Sequence, residues 1–534
     1  MMPPIHAERR ASGALVAGQR VCHPETGETD VGDPEVLTLR RVLMWTAVAI
    51  GLVAAACTPA PTPTPGEDPG AEVTLLPLRA TRGTDAGLFD SAGRQVTLRG
   101  ANFNQLGDYF VTDPRLPTVA TLDDADWDDA QAMGFNVVRL VTTWSAWEPV
   151  RGQYDLAYAA QVRAAVEEAN AHGMYALVDL HQDAWSKFVY SPIDHVCPAG
   201  WQRTRGWDGA PDWATFTDGA ETCSPDGRRE NPPAVRQAWN NFYANREGIR
   251  DAFGDLWYFI ASQFAGDPGV AGFDLLNEPG LGSSFDYTAS ALSSAYADAI
   301  NNIREAEQDV APGAPTHPVF FEPVFGGFPL IPFDFSDDDN LVFAPHTYAE
   351  SFDDIAGFLD LSMQGYRLAA DAYRTPVFLG EYGAYRSDEF NRGWASRVHR
   401  LADELGFVGD TWWQWEQACG DPHNTSYPLS EDEVLRRLPS CADSRSIQAC
   451  PTRPYPRAVP GRLTSLQAEP CGSGPLSFTG STAAPSTADV WFPSTSPTPP
   501  TVTGTGVESA TPRAVPGGWR IAVRVDGDYT VEVS

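Results

Sequence analysis

A chain of 534 residues with 43% apolar content can bury one large catalytic core and a smaller module, and a formal charge of −33 without clustered Lys and Arg excludes a nucleic-acid partner. The 47 glycines and 45 prolines imply long loops, which suits a barrel that elaborates one face. Cys197, Cys223, Cys419, Cys441, Cys450 and Cys471 lack the paired C-x-x-C spacing of a zinc site, so they read as disulfides of an oxidising compartment, with Cys197 and Cys223 paired by proximity.

In chain order, Arg40-Arg41 precede the apolar run Val42 to Ala56, which is shorter than the roughly 20 residues of a membrane span and ends in Ala54-Ala55-Ala56-Cys57. This predicts an export signal over residues 1–57. Cys57 resembles the acylated cysteine of a bacterial lipoprotein, which would tether the chain to the outer face of the cell membrane. Cleavage after Ala56 would instead secrete it. The proline-rich run from Thr58 to Pro65 predicts an extended tether over 58–80.

From Gln95 onward, short apolar runs alternate with helical patterns, which predicts parallel βα units. Eight strands are expected: Val96–Asn102, Asn136–Val141, Tyr175–His181, Val270–Asn277, Pro318–Glu322, Leu341–His346, Pro376–Glu381 and Phe407–Trp415. Helical patterns between them include Leu156–Ala171, Asn245–Phe264, Ser290–Glu307, Phe352–Ala372 and Asn391–Leu405. The fold class is therefore α/β, a (β/α)8 TIM barrel over 81–455. A small C-terminal β-sandwich is expected over 456–534, where Trp519–Val525 and Tyr529–Val533 alternate as a hairpin about Asp526-Gly527-Asp528.

The strand tips are polar. Glu278 follows the fourth strand in Asn277-Glu278-Pro279, and Glu381 ends the seventh in Gly380-Glu381-Tyr382-Gly383. Arg139, His181 with Asp183, Glu322, and His346 with Tyr348 stand at other tips, and Trp415 ends the eighth strand. One such residue is ordinarily scaffold, and Glu322 reads so. Several converging on the C-terminal rim of a barrel indicate catalysis. The segment after the third strand, about 184–236, carries Trp185, Phe188, Tyr190, Trp201, Trp207, Trp213 and Phe216, which either form an apolar rim or pack on themselves.

These motifs resemble glycoside hydrolase family 5, and within it the endoglycoceramidases. The narrower likeness rests on Asp179-Leu-His-Gln-Asp-Ala-Trp-Ser186, Asp208-Gly-Ala-Pro-Asp-Trp213, Phe321-Glu-Pro323 and Arg453-Pro-Tyr-Pro-Arg-Ala-Val459. The resemblance implies a retaining endo-β-glycosidase acting between glycan and ceramide, with Glu278 as acid/base and Glu381 as nucleophile. It further implies that Asn277 meets the sugar 2-hydroxyl, that Arg139 keeps Glu381 ionised, that His346 and Tyr348 orient the glutamates, that Trp415 lies beneath the sugar, and that His181 and Asp183 help bind substrate. The chain is expected to act as a monomer, with no cofactor and no metal. The loop Arg99 to Tyr109 has no lysine where endoglycoceramidases carry a sugar-contacting one, so the glycan stays open. A β-glucanase, β-mannanase or steryl/glucosylceramide β-glucosidase would share the fold and the glutamate pair. A surface glycan-binding lipoprotein would lack one of the glutamates, and both are present.

Overall fold

The computed structural model describes residues 74–326, 331–351, 357–384, 386–423, 429–430, 450 and 452–534. The export segment, Cys57 and the tether up to residue 73 lie outside them. From Leu78 the expected tether is already strand, because Leu78 and Ala80 alternate as buried side chains. Three antiparallel strands come first, β1 (Leu78–Thr81), β2 (Gly87–Asp90) and β3 (Arg94–Val96).

The parallel strands are β4 (Leu98–Phe103), β5 (Val137–Thr143), β6 (Tyr175–His181), β7 (Val270–Asp274), β8 (Val319–Phe321), β9 (Leu341–Phe343), β10 (His346–Thr347), β11 (Phe378–Tyr382) and β12 (Gly409–Trp412). β4 through β9 pair in that order, β10 pairs with β11 and β11 with β12, and β12 returns to β4. β9 pairs with β8 and β10 with β11, so the two are halves of one strand broken at Ala344-Pro345; Phe343 also bridges Val377. Among the described residues the sheet thus closes as an eight-stranded barrel. Nearly every residue of these strands is buried, which is why they read as continuous apolar runs rather than as alternating ones.

The helix Leu156–Ala171 falls on its expected bounds, started by the Asp155 carboxylate, which accepts from the N–H groups of Ala157 and Tyr158. The expected helix 245–264 divides into a single 3-10 turn and Ile249–Phe264, since Asn245, Glu247 and Gly248 adopt left-handed φ values of 52°, 50° and 72°. Phe285–Val310, Phe358–Tyr373 and Asp388–Glu404 complete the later outer layer. In the segment after β6, the Cys197–Cys223 disulfide forms, and a helix begins at Pro233.

The second sheet is an antiparallel β-sandwich built from β13 (Tyr455–Pro460), β14 (Arg462–Ala468), β15 (Leu476–Pro493), β16 (Val502–Thr503), β17 (Val507–Val515) and β18 (Gly518–Val533) around Phe478, Val490, Ile521, Val523 and Val531. β13 pairs with β15 on one side and β3 on the other, so this sheet draws strands from both ends of the described chain. The hairpin expected about Asp526-Gly527-Asp528 is not one. Residues 518–533 form a single strand paired along β15, and the Gly527 φ of 59° sits at a register shift opposite Thr482 to Ser486. The turn joins β17 to β18 through Pro516-Gly517 instead. The sandwich seats on the barrel through Tyr455 Oη and Arg457 Nη2, which donate to the carbonyls of Gly134 and Gly173 at 2.7 and 2.9 Å. At Gly134, with φ of 83°, a Cβ would meet the Trp491 ring at 2.1 Å. A second disulfide joins Cys450 to Cys471.

Candidate active site

Arg139, at the middle of β5 and fully buried, organises the barrel mouth. Its Nη1 donates to Glu381 Oε1 at 3.0 Å and Asn102 Oδ1 at 2.9 Å, its Nη2 to Asn277 Oδ1 at 3.0 Å and Glu322 Oε1 at 3.2 Å, and its Nε to Asp274 Oδ2 at 2.9 Å. Asp179 adds an ion pair at 2.9 Å. A planar guanidinium with five donors can serve partners from five strands at once; an ammonium could not.

Asn277 and Glu278 follow β7 at its C-terminal tip. The Gln182 side-chain amide donates to both of their carbonyls, at 2.7 and 2.8 Å, while Asn277 Nδ2 donates back to the Gln182 carbonyl at 3.1 Å. This clamp holds Glu278 at a φ of 40°, a conformation non-glycine residues rarely adopt. His346 Nδ1 lies 3.1 Å from Glu278 Oε1 and 3.5 Å from Glu381 Oε2, and its Nε2 lies 3.1 Å from Glu322 Oε1. Burial disfavours the charged imidazole, but Glu322 and Glu381 overcome this and raise its pKa well above the ordinary value.

Both Glu381 oxygens receive donors, Arg139 on one side and Tyr348 Oη at 2.8 Å on the other, the pattern of a carboxylate. Burial pushes its pKa up to about 7, against the downward pull of His346 and Arg139. Carboxyl oxygens of Glu278 and Glu381 lie within 4.8 Å of each other. Two carboxyl groups this close leave no room for an inverting water between them and suit double displacement.

The cavity above this pair measures about 1020 Å³. His181, Asp183, Asn277, Glu278, His346, Tyr348 and Glu381 line it, with Arg139 beneath. Trp415 does not line it. β12 ends at Trp412, and beyond it the Trp415 indole turns outward, donating to Asp126 Oδ1 at 2.9 Å and stacking on Phe103. Trp413 occupies the wall instead, its ring stacked on His181 at 5.1 Å.

Two charged residues that the sequence did not single out, His423 and Arg229, also line the cavity. His423 donates from Nδ1 to Asp421 at 2.9 Å and from Nε2 to Asp183 at 2.6 Å. Arg229 pairs with Asp183, reaches Glu278 Oε2 at 3.4 Å and lies 4.6 Å over the Trp207 ring. Burial opposes the ionised form of Asp183, but Arg229 and His423 hold its pKa down at about 2. The Asp-Pro-His pattern at 421–423 was the available signal for His423; Arg229, between Arg228 and Glu230, looks like any surface arginine.

The aromatic segment packs mainly inward. Trp185 packs against Trp239, and Trp213 meets Trp144 edge-on at 5.5 Å. Of its seven aromatics, Trp207 alone lines the cavity. The apolar wall comes from elsewhere: Val324 and Phe325 after β8, and Phe358, Leu361 and Tyr366 on the helix after β10.

The cellulase (glycosyl hydrolase family 5) model matches residues 89–418. An endoglycoceramidase I from Rhodococcus hoagii is 30% identical over 300 residues, 52% of this chain and 54% of that protein, so the match spans about half of the relative's length. An endoglycoceramidase from Hydra vulgaris is 25% identical over 71% of this chain and 73% of its own. The crystal structure of an endogalactoceramidase superposes with a TM-score of 0.75 at 35% identity, over 86% of this chain and 100% of that one. With the match covering more than half of the chain, and two glutamates at the tips of β7 and β11 on a closed parallel barrel, the protein belongs to glycosyl hydrolase family 5.

Proposed function

We propose that the protein is a retaining endo-β-glycosidase that hydrolyses the bond between glycan and ceramide in glycosphingolipids. One observation carries the lipid side of this reading. Around the barrel, β12, β4, β5 and β6 form one arc, and β8 with β9 and β10 form the opposite one. The first arc presents polar groups to the cavity, Asp183, Arg229 and His423 with Trp413; the second carries Glu322, His346 and Tyr348 against the glutamates and adds the apolar Val324, Phe325, Phe358 and Leu361. β7 and β11, which carry Glu278 and Glu381, stand between the arcs. The bond under attack therefore sits where a polar chamber meets an apolar one, the division a glycolipid has between sugar and ceramide.

In this reading Glu381 attacks the anomeric carbon while Glu278 protonates the departing ceramide oxygen, giving a glycosyl ester on Glu381. Glu278 then deprotonates a water that attacks the anomeric carbon, freeing the glycan and restoring both carboxyl groups. His346 and Arg139 place positive charge beside Glu381, and Asn277, held by Arg139, faces the sugar. The relatives named endoglycoceramidase support the substrate class. The Arg40-Arg41, Val42–Ala56 and Cys57 pattern supports export with an acyl anchor. Incubation with neutral, sialylated and galactosyl-linked glycosphingolipids should release intact glycan and ceramide from at least one series, seen by mass spectrometry. Release from none, with turnover of a β-glucan, a β-mannan or a steryl glucoside, would overturn the assignment.

A further inference from the structure

Most of the aromatic segment after β6 lies behind the cavity rather than in it, and its backbone contacts lead to one side chain. Gln182 is buried and stands one residue past β6. The Trp185 N–H donates to Gln182 Oε1 at 2.7 Å, which turns both hydrogens of Nε2 toward the carbonyls of Asn277 and Glu278. Ala184 and Trp185 take left-handed φ values of 52° and 74° to bring that N–H round. Across them lies a strap, residues 208–211. Asp208 forms an antiparallel bridge with Asp183, and the Ala210 N–H donates to the Trp185 carbonyl at 2.8 Å. At Gly209, with φ of 111°, a Cβ would stand 2.5 Å from both Gln182 Cβ and the Trp185 carbonyl oxygen. The Asp208-Gly-Ala-Pro-Asp-Trp213 motif is thus the backing of Gln182.

The loop that Gln182 grips is held at four consecutive carbonyls. Gln182 takes those of Asn277 and Glu278, the Phe325 N–H takes that of Pro279 at 2.8 Å, and Tyr243 Oη takes that of Gly280 at 2.7 Å. Trp239, on the same helix as Tyr243 and packed on Trp185, closes the space at Gly280, where a Cβ would lie 2.1 Å from its Nε1. Glu278 needs this support because its φ of 40° precedes a proline, a backbone state that the surroundings must impose. Glu381 is held separately, by Arg139 and Tyr348. Asn277 has side-chain anchors of its own, Arg139 on Oδ1 and the Gln182 main-chain carbonyl on Nδ2, and neither uses the amide at 182.

We propose that Gln182 is a positioning residue for proton transfer: its amide, backed by the Gly209 strap, aims the Glu278 carboxyl at the glycosidic oxygen without acting on the nucleophile. This role rests on the reading of Glu278 as the acid/base. A general acid must lie within hydrogen-bond reach of the departing oxygen, and misplacing it by about 1 Å costs on the order of 10²-fold. A leaving group that departs without a proton does not feel the displacement.

The test measures kcat/KM on aryl β-glycosides graded from dinitrophenyl to unsubstituted phenyl, for the parent, Gln182→Leu, Gly209→Ala and Glu278→Gln, with melting temperatures alongside. No ceramide is present, so the lipid side of the proposed function does not enter. Gln182→Leu should lose on the order of 10²-fold on the phenyl glycoside and less than about threefold on the dinitrophenyl one. Gly209→Ala, which leaves the amide intact and displaces it from behind, should show the same dependence on leaving group to a smaller extent. Azide attacks the glycosyl ester without a general base, so it should speed dinitrophenyl glycoside turnover in Gln182→Leu and Glu278→Gln but not in the parent. Equal losses across the series in both Gln182→Leu and Gly209→Ala, without azide rescue, would make Gln182 a structural residue and overturn the proposal. If Gln182→Leu melts so low that all turnover vanishes, Gly209→Ala decides: a loss that grows with the basicity of the leaving group supports the proposal, and a uniform loss or none overturns it. Dependence on leaving group in Glu278→Gln but in neither of the other variants would overturn the positioning role alone. Its absence from Glu278→Gln would remove the acid/base reading and the positioning role together.

Discussion

The side chain of Glu322 accepts the main-chain N–H of Glu278, Oε2 to N, at 2.9 Å. A carboxyl group at the tip of β8 thereby holds the backbone of a residue in the loop that follows β7, while its other oxygen faces Arg139 and His346. Glu322→Ala leaves that N–H and part of Arg139 without a partner, at a cost of about 1–3 kcal/mol. Glu322→Gln keeps an acceptor in place. The expected outcome is a drop in kcat and in melting temperature for Ala, with substantial recovery of both in Gln. Equal damage in the two variants would contradict a positioning role.

The two glutamates should separate by leaving group. Glu278→Gln is expected to cost about 10²–10⁴-fold on a glycosphingolipid, whose alkoxide departs poorly. It should cost far less on a dinitrophenyl glycoside, which leaves unaided. Glu381→Gln should lose on the order of 10⁴-fold or more on both. Steady-state kinetics on the two substrates distinguishes the roles, and interchanged patterns would reverse the assignment.

Removing Arg139 should cost more in folding than its single charge suggests, since Asp179, Asp274, Glu322 and Glu381 all face it in the interior. Arg139→Ala is expected to destabilise by about 3–5 kcal/mol, the scale of breaking a buried pair. Arg139→Lys restores a charge but not the fork, so it should recover stability only in part. Urea denaturation of the three proteins measures this.

His423 predicts how stability depends on pH. Burial acts to lower the pKa of its imidazole, but Asp421 and Asp183 push it up to about 10. A histidine whose pKa is raised on folding stabilises fully below its unfolded value, about 6.5, and loses that contribution as pH climbs to the folded value. Melting temperature should therefore fall between about pH 6.5 and 10. His423→Gln should start lower and lose that part of the slope; an unchanged slope would exclude His423 as its source.

The barrel was legible because its strands are buried on both faces and end in polar residues, a pattern that survives without any knowledge of contacts. Glu278 and Glu381 stood out for the same reason. Periodicity failed where the chain leaves regular structure. Past Trp412 the strand gives way to irregular chain, and Trp413 lines the cavity where the family resemblance implied Trp415. Arg229 and His423 reach the cavity from irregular loops, and only the fold brings them beside Asp183. At Asp526-Gly527-Asp528 the local composition suits a turn, but pairing along the whole of β15 keeps the strand continuous.

The pairing of β3 with β13 means that residues more than 350 positions apart complete each other's hydrogen bonds, Val96 opposite Ala458. A version of the enzyme shortened at residue 454 to isolate the barrel would bare the Arg94–Val96 edge, whose unmet N–H and C=O groups invite a strand from a neighbouring molecule. The C-terminal module is in this sense a seal on the front end of the chain. Its removal should be read out first as association, by light scattering, and only afterwards as lost activity.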